Sequence, residues 1–126
     1  MYQELVLNND PKSIISETIR TLRTNLQFAS VDKKIKTILI TSSVPGEGKS
    51  FIAANLACAF AQSGSRVLLV DCDIRKGRQH YIFNSHNKSG LSNLLLENVK
   101  EKYMDYIQET RIKNLWIQYN KLMEYI

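Results

Sequence analysis

Apolar residues recur at Ile15, Ile19, Leu22, Leu26 and Ala29, three or four positions apart, which predicts a helix from about Ile14, just after the Asp10-Pro11 turn signal. At 100° per residue that stripe takes one side and leaves Glu17, Arg20 and Arg23 on the other. After the charged connection 30–36, the run Thr37, Ile38, Leu39, Ile40 and Thr41 is continuous and β-branched, the pattern of a strand buried in a parallel sheet. An Ala-rich apolar segment from Lys49 to about Gln62 predicts a second helix, which Ser63-Gly64-Ser65 ends. Residues 66–70 then read as a second buried strand running into Asp71.

Strand, helix and strand in that order make a βαβ unit, so residues 37–41 and 66–70 are expected to lie parallel with a right-handed crossover. Beyond it, a loop containing Asn84, Asn87, Ser89 and Gly90 leads to an expected short helix at 91–96. A helical stretch at 101–108 and a strand at 114–118 follow. The expected fold class is therefore α/β: a P-loop NTPase-like three-layer sandwich on a parallel sheet, holding about the N-terminal half of such a domain. It divides into an N-terminal segment with the first helix (1–36), a partial nucleotide-binding domain (37–118) and a divergent tail (119–126).

The connection between the first strand and the second helix carries the chemistry. Residues 43–50, Ser-Val-Pro-Gly-Glu-Gly-Lys-Ser, would hold phosphate at a helix N-terminus, where orphan N–H groups and the positive dipole end favour an anion. Gly46 and Gly48 let the backbone curl, with Pro45 and Glu47 between and before them. Lys49 would reach the β and γ phosphates, and the Ser50 hydroxyl would serve Mg²⁺. Ser43 stands where the usual pattern has glycine; the strand before and the helix after supply the context the motif requires. The plain alternative is a glycine-rich turn that binds nothing.

A second constellation lies at 71–75, Asp-Cys-Asp-Ile-Arg. If the strand continues, Asp71 and Asp73 share a face and both carboxylates could point at the phosphates, one serving the metal and the other accepting a proton. Two acids at a strand end also serve simply to cap the next helix. Arg75, Lys76, Arg78 and His80 form the densest basic cluster, at the place where an open α/β sheet receives its ligand; a solvated loop is the alternative.

A formal charge of +5 on 126 residues raises the question of nucleic acid. Neither zinc-ligand spacing nor an aromatic RNA-binding signature accompanies it, so nucleic acid is not expected. An apolar share of 44% suits a single domain with a modest core. The uncharged run 51–65 is too short and too polar to span a bilayer, and the first ten residues lack a signal-peptide pattern, which predicts a cytoplasmic protein. Cys58 and Cys72 read as small packing residues in a reducing compartment.

The segment 17–25 (Glu-Thr-Ile-Arg-Thr-Leu-Arg-Thr-Asn), the loop 43–50, Asp71-Cys72-Asp73-Ile74-Arg75-Lys76 and Gly90-Leu91-Ser92-Asn93 together resemble the bacterial tyrosine kinases of capsule and exopolysaccharide synthesis. The likeness runs to about Leu115. It implies ATP and Mg²⁺ as cofactors and autophosphorylation on protein tyrosines. Lys49, Asp71 and Asp73 would be the catalytic groups. Pro45, Gly46, Glu47, Gly48, Lys49, Ser50 and Arg75 would hold the nucleotide, and Ser50, Asp71 and Asp73 the metal. It further implies self-association through Glu17, Arg20 and Arg23, and a membrane-anchored activator of the polysaccharide co-polymerase type that brings the protein to the inner face of the cell membrane. Read alone, the Glu17/Arg20/Arg23 face is a solvated one stiffened by an ion pair.

The chain departs from that family where its next metal-holding strand, ending in aspartate, is expected: residues 114–118 run instead into Tyr119-Asn120. Tyr119 and Tyr125 are too sparse for the family's tyrosine cluster. This predicts impaired transfer, and leaves open a non-catalytic ATP-binding interaction module. A partitioning-type ATPase is the third reading; its signature lysine would stand at Val44.

Overall fold

A computed structural model describes residues 4–73, 77–83, 104 and 106–119. In chain order these form α1 (Val6–Asn9), α2 (Ile14–Phe28), α3 (Lys49–Gln62), β1 (Val67–Val70), α4 (Gln79–Ile82), β2 (Gln108–Glu109) and β3 (Leu115–Gln118). The expected helix at 91–96 lies outside the described residues.

Both long helices have local reasons to start and stop where they do. Ser13 caps α2: its Oγ accepts the Ser16 N–H at 3.1 Å, and Glu17 sits in the first turn near the positive end of the dipole. Helix α3 ends in a Schellman arrangement, with Ser65 N–H on the Phe60 carbonyl (3.1 Å), Gly64 N–H on the Ala61 carbonyl (3.0 Å) and Gly64 at φ +96°.

Helix α3 is the centre of the molecule. It packs against α1 and α2 on one side and against β1 on the other, so Ala54, Ala57, Ala59 and Ala61 are buried with Leu56 and Cys58. Small side chains all round let both layers come close. Leu5, Leu7, Ile19, Ile82, Phe83, Ile112, Leu115, Ile117 and Tyr119 complete the core, with Phe51, Val67 and Leu69 packed against it.

The sheet has the order β1-β3-β2. Strands β1 and β3 are parallel, Val67 opposite Leu115 through Val70 opposite Gln118, whereas β2 and β3 form an antiparallel hairpin. Gln108 thus belongs to a strand rather than closing a helix, because its ladder with Ile117 overrides the local helical pattern.

Two sequence expectations are corrected. Residues 37–41 form no strand: they join no ladder among the described residues and leave Leu39 84% exposed. The parallel pair of 37–41 with 66–70 is therefore absent, and among the described residues β1 is a sheet edge whose Leu68 and Val70 are open to solvent. On α2, only Ile19 of the predicted stripe is fully buried, while Ile15, Leu22 and Ala29 are exposed. The buried side of α2 is rotated from the stripe toward Ser16 and Ile19, which leaves Ile15, Leu22 and Ala29 on the solvent side.

Candidate functional site

Residues 43–48 form an exposed loop that delivers the chain into α3. Its two glycines both sit in the left-handed region, Gly46 at φ +82° and Gly48 at +84°, and Gly48 is the N-cap of α3. A Cβ at either position would meet nothing within 4 Å, so glycine is required by the dihedral angle rather than by crowding. Gly48 supplies no side-chain cap, so no cap side chain competes with an anion for the amides of the first turn.

Ser43 N–H donates to Glu47 Oε2 (3.2 Å), and Ser42 Oγ donates to the Val44 carbonyl (3.0 Å), which closes the loop on itself. Lys49 and Ser50 are half-buried at the helix start. No hydrogen bond or ion pair engages the Lys49 ammonium among the described residues. It stays available to an incoming anion.

Asp71 follows β1 and is buried, with its N–H on the Gln118 carbonyl (2.9 Å). Its carboxylate is already employed: Oδ1 accepts the Asp73 N–H (3.0 Å) and Oδ2 accepts the Gln79 N–H (3.3 Å). Burial pushes the Asp71 carboxyl above its ordinary range, opposed by those two N–H donors. Asp73 is half-buried and turns away from a continued strand, so the shared face expected of Asp71 and Asp73 is replaced by a local turn closed on Asp71. The helix-capping role of Asp71 is thus real, toward the backbone that enters α4.

Gln79, which sequence reasoning missed, joins the two halves of the site. Its Nε2 donates to the Ser50 carbonyl (3.1 Å) while its N–H holds Asp71. A buried side chain thereby ties the first turn of the phosphate helix to the carboxylate after β1. No local pattern announces this, since both partners are remote in sequence. Asn55 is a second hidden anchor: buried in mid-helix, its Nδ2 donates to the Glu4 carbonyl (2.8 Å) and the Phe51 carbonyl (3.0 Å), and its Oδ1 accepts the Leu7 N–H (3.5 Å).

The basic cluster divides. Arg75 and Lys76 lie outside the described residues. Arg78 pairs with Glu4 at 3.3 Å on the surface, and His80, its basicity lowered by burial against the pull of Asp71, packs edge-on to Tyr119. On α2, Glu17 and Arg20 pair at 2.9 Å, but Arg23 Nη1 donates to the Ala59 carbonyl of α3 at 3.2 Å. Arg23 therefore does not share the open face expected of it; its long stem folds over the helix–helix seam.

Among the described residues no three acidic, His or Cys side chains cluster as a ready-made metal cage. Ser50, Asp71 and Asp73 suit an ion that keeps most of its water and is held chiefly through phosphate, which is the habit of Mg²⁺. None of the described helices is long and apolar enough to cross a membrane.

The profile of the CobQ/CobB/MinD/ParA nucleotide binding domain matches residues 38–122. CapB of Staphylococcus aureus is 47% identical over 111 residues, which is 88% of this chain and 48% of that protein. The tyrosine-protein kinase YwqD of Bacillus subtilis is 46% identical over 115 residues, 91% of this chain and 48% of its own. The chain thus spans about half the length of these relatives. Among solved structures, the chimerical protein CapA2B2 superposes with a TM-score of 0.89 at 46% identity, over 99% of this chain and 54% of that one. The kinase domain of the Escherichia coli tyrosine kinase ETK gives 0.85 at 30% identity, over 96% and 47%.

Proposed function

From the premise that the chain belongs to the CobQ/CobB/MinD/ParA nucleotide binding domain family, within its bacterial tyrosine-kinase branch, we propose that it binds ATP with Mg²⁺ as the phosphate-gripping half of a capsule-type protein-tyrosine kinase. One observation carries the proposal. An unpaired Lys49 stands at the start of an α-helix whose N-cap is a left-handed glycine, and Gln79 fixes that helix start to Asp71.

In this reading the amides of residues 46–50 and the Lys49 ammonium hold the β and γ phosphates, and Pro45 and Glu47 shape the loop. The Glu47 carboxylate must leave the Ser43 N–H for that amide to face phosphate. Ser50, Asp71 and Asp73 hold Mg²⁺, which neutralises charge on the phosphates, and Arg75 completes the cradle. Protein tyrosines, including those of neighbouring copies, are the acceptors. Self-association uses α2, whose Glu17–Arg20 pair lies on the side opposite the exposed Ile15 and Leu22 while Arg23 reaches across to the Ala59 carbonyl of α3. A membrane-anchored activator of polysaccharide synthesis would bring the assembly to the inner face of the membrane.

A second reading is favoured by the end of β3, where Gln118 runs into Tyr119 in place of the aspartate expected to close the family's metal-holding strand. That favours an ATP-binding interaction module without transfer.

The test is incubation of the chain with radiolabelled ATP and Mg²⁺, with and without a membrane activator of the proposed kind, against Lys49→Ala. Label on tyrosine that vanishes in the variant supports the kinase. Nucleotide uptake without label supports the module, and failure of both removes the proposal.

A further inference from the structure

We propose that Gln79 is a positioning residue of the phosphate site: its side-chain Oε1 accepts a hydrogen bond from a water carried by the Mg²⁺ of the bound nucleotide, while the Nε2 of the same amide keeps hold of α3. The inference rests on the reading of residues 43–50 as an ATP and Mg²⁺ site, and it gives that site a residue outside its motif positions.

Gln79 is 4% exposed, and both of its donor groups are engaged: the N–H with Asp71 Oδ2 at 3.3 Å and Nε2 with the Ser50 carbonyl at 3.1 Å. Its Oε1 is equally buried and has no hydrogen-bond partner among the described residues. The orientation of the amide is not arbitrary. The Ser50 carbonyl only accepts, so nitrogen must face it and the end left over must be the oxygen. In a planar amide the two atoms are about 2.3 Å apart, which keeps Oε1 beside the first turn of α3.

An orphaned acceptor calls for a donor, and the groups around it supply none. The Asp71 carboxylate, already holding the Asp73 and Gln79 N–H groups, only accepts, and so does a phosphate oxygen. Water on a metal ion is the complement of such a site: its lone pair is committed to the ion, and its polarised O–H bonds can only donate. Mg²⁺ characteristically keeps several waters, whose directions the protein must fix from outside. Two further buried atoms without partners, Gln118 Nε2 and His80 Nδ1, belong to residues beside Asp71, since the Gln118 carbonyl accepts the Asp71 N–H and His80 follows Gln79. Unsatisfied polar atoms gathered at one carboxylate suit a hydrated ion site and not a packed core.

The test titrates the full 126-residue chain with ADP, which cannot be turned over, by calorimetry in Mg²⁺ and in EDTA. The readout is the ratio of the two affinities, in which a general loosening of the loop cancels. Gln79→Leu, similar in size and without either polar atom, is expected to lower that ratio by about fivefold, the worth of one hydrogen bond of ordinary strength. Gln79→Glu keeps an acceptor and loses the donor to the Ser50 carbonyl; its unfolding midpoint in urea should fall while its ratio stays within about twofold of wild type. On the wild type itself, the Gln79 Cδ resonance, identified by its loss in Gln79→Glu, should shift with Mg²⁺ and ADP together and not with ADP alone. The inference is overturned by a Gln79→Leu ratio equal to wild type, by a Gln79→Glu ratio as low as that of Gln79→Leu, or by a Cδ resonance indifferent to Mg²⁺. Folded wild-type chain that takes up no nucleotide removes the underlying site reading as well, which tells the two failures apart.

Discussion

Replacing Asn55 by alanine removes the side chain that ties the N-terminal segment to α3. The perturbation leaves the Glu4 carbonyl and the Leu7 N–H without their partners, beside Leu5 and Leu7 side chains that are themselves buried. The 2.8 Å bond to Glu4 is well formed, and a buried group orphaned this way costs about 1–3 kcal/mol; the 3.5 Å contact to Leu7 is at the limit and contributes less. The third bond, to Phe51, goes to a carbonyl of the preceding helical turn and is the least missed. Alanine returns about 0.5 kcal/mol in helix propensity. The expected net loss is about 2 kcal/mol, read in urea as a lower midpoint at unchanged slope. Asn55→Asp is expected to be worse than alanine, because it keeps the acceptor for Leu7 but buries a charge facing two carbonyls. A loss below about 0.5 kcal/mol for alanine, or aspartate more stable than alanine, would refute the assignment of Asn55 as an anchor.

Gly48→Ala is expected to lose about 1 kcal/mol of stability, since its Cβ meets no atom within 4 Å and only the left-handed dihedral is penalised; Gly48→Asn should lose less, and a loss above about 3 kcal/mol in urea unfolding would mean the loop is crowded after all. At pH 8 a thiol reagent is expected to modify exposed Cys72 and leave Cys58 untouched until the protein unfolds, as burial raises the Cys58 thiol to about 11. The folded pKa of Cys58 lies above its ordinary 9.0, so its contribution to stability is complete below pH 9 and is lost as pH rises from 9 towards 11. Thermal unfolding of Cys58→Ala, compared with wild type across that window, should lack this loss.

How much was legible in the sequence depended on whether the signal was local. Helix α3 was readable to both ends, since the turn before Lys49 and the Ser63-Gly64-Ser65 stop act on their immediate neighbours. The conformation of the loop before α3 was readable for the same reason: its glycines declare left-handed dihedrals by themselves. Residues 37–41 carry every mark of a buried strand, yet a strand exists only through its neighbours, and among the described residues no ladder reaches them. The hairpin of β2 and β3 was missed because Gln108 and Glu109 gain their conformation from Ile117 and Trp116. Arg23 was misplaced because its position on α2 lies only about 40° from Ile19, on the side that packs against α3. Gln79 and Asn55 were invisible as site and anchor, since the contacts that make them so, to Ser50 and to Glu4 and Leu7, span 29, 51 and 48 residues.

The most direct test of the account is isothermal titration of the chain with ATP in the presence and absence of Mg²⁺, repeated on Lys49→Ala. Saturable, magnesium-enhanced binding that weakens by at least about tenfold in the variant is predicted, because the proposed grip on the β and γ phosphates uses the Lys49 ammonium. Folded wild-type protein that takes up no ATP, or Lys49→Ala that binds it equally well, would contradict the account.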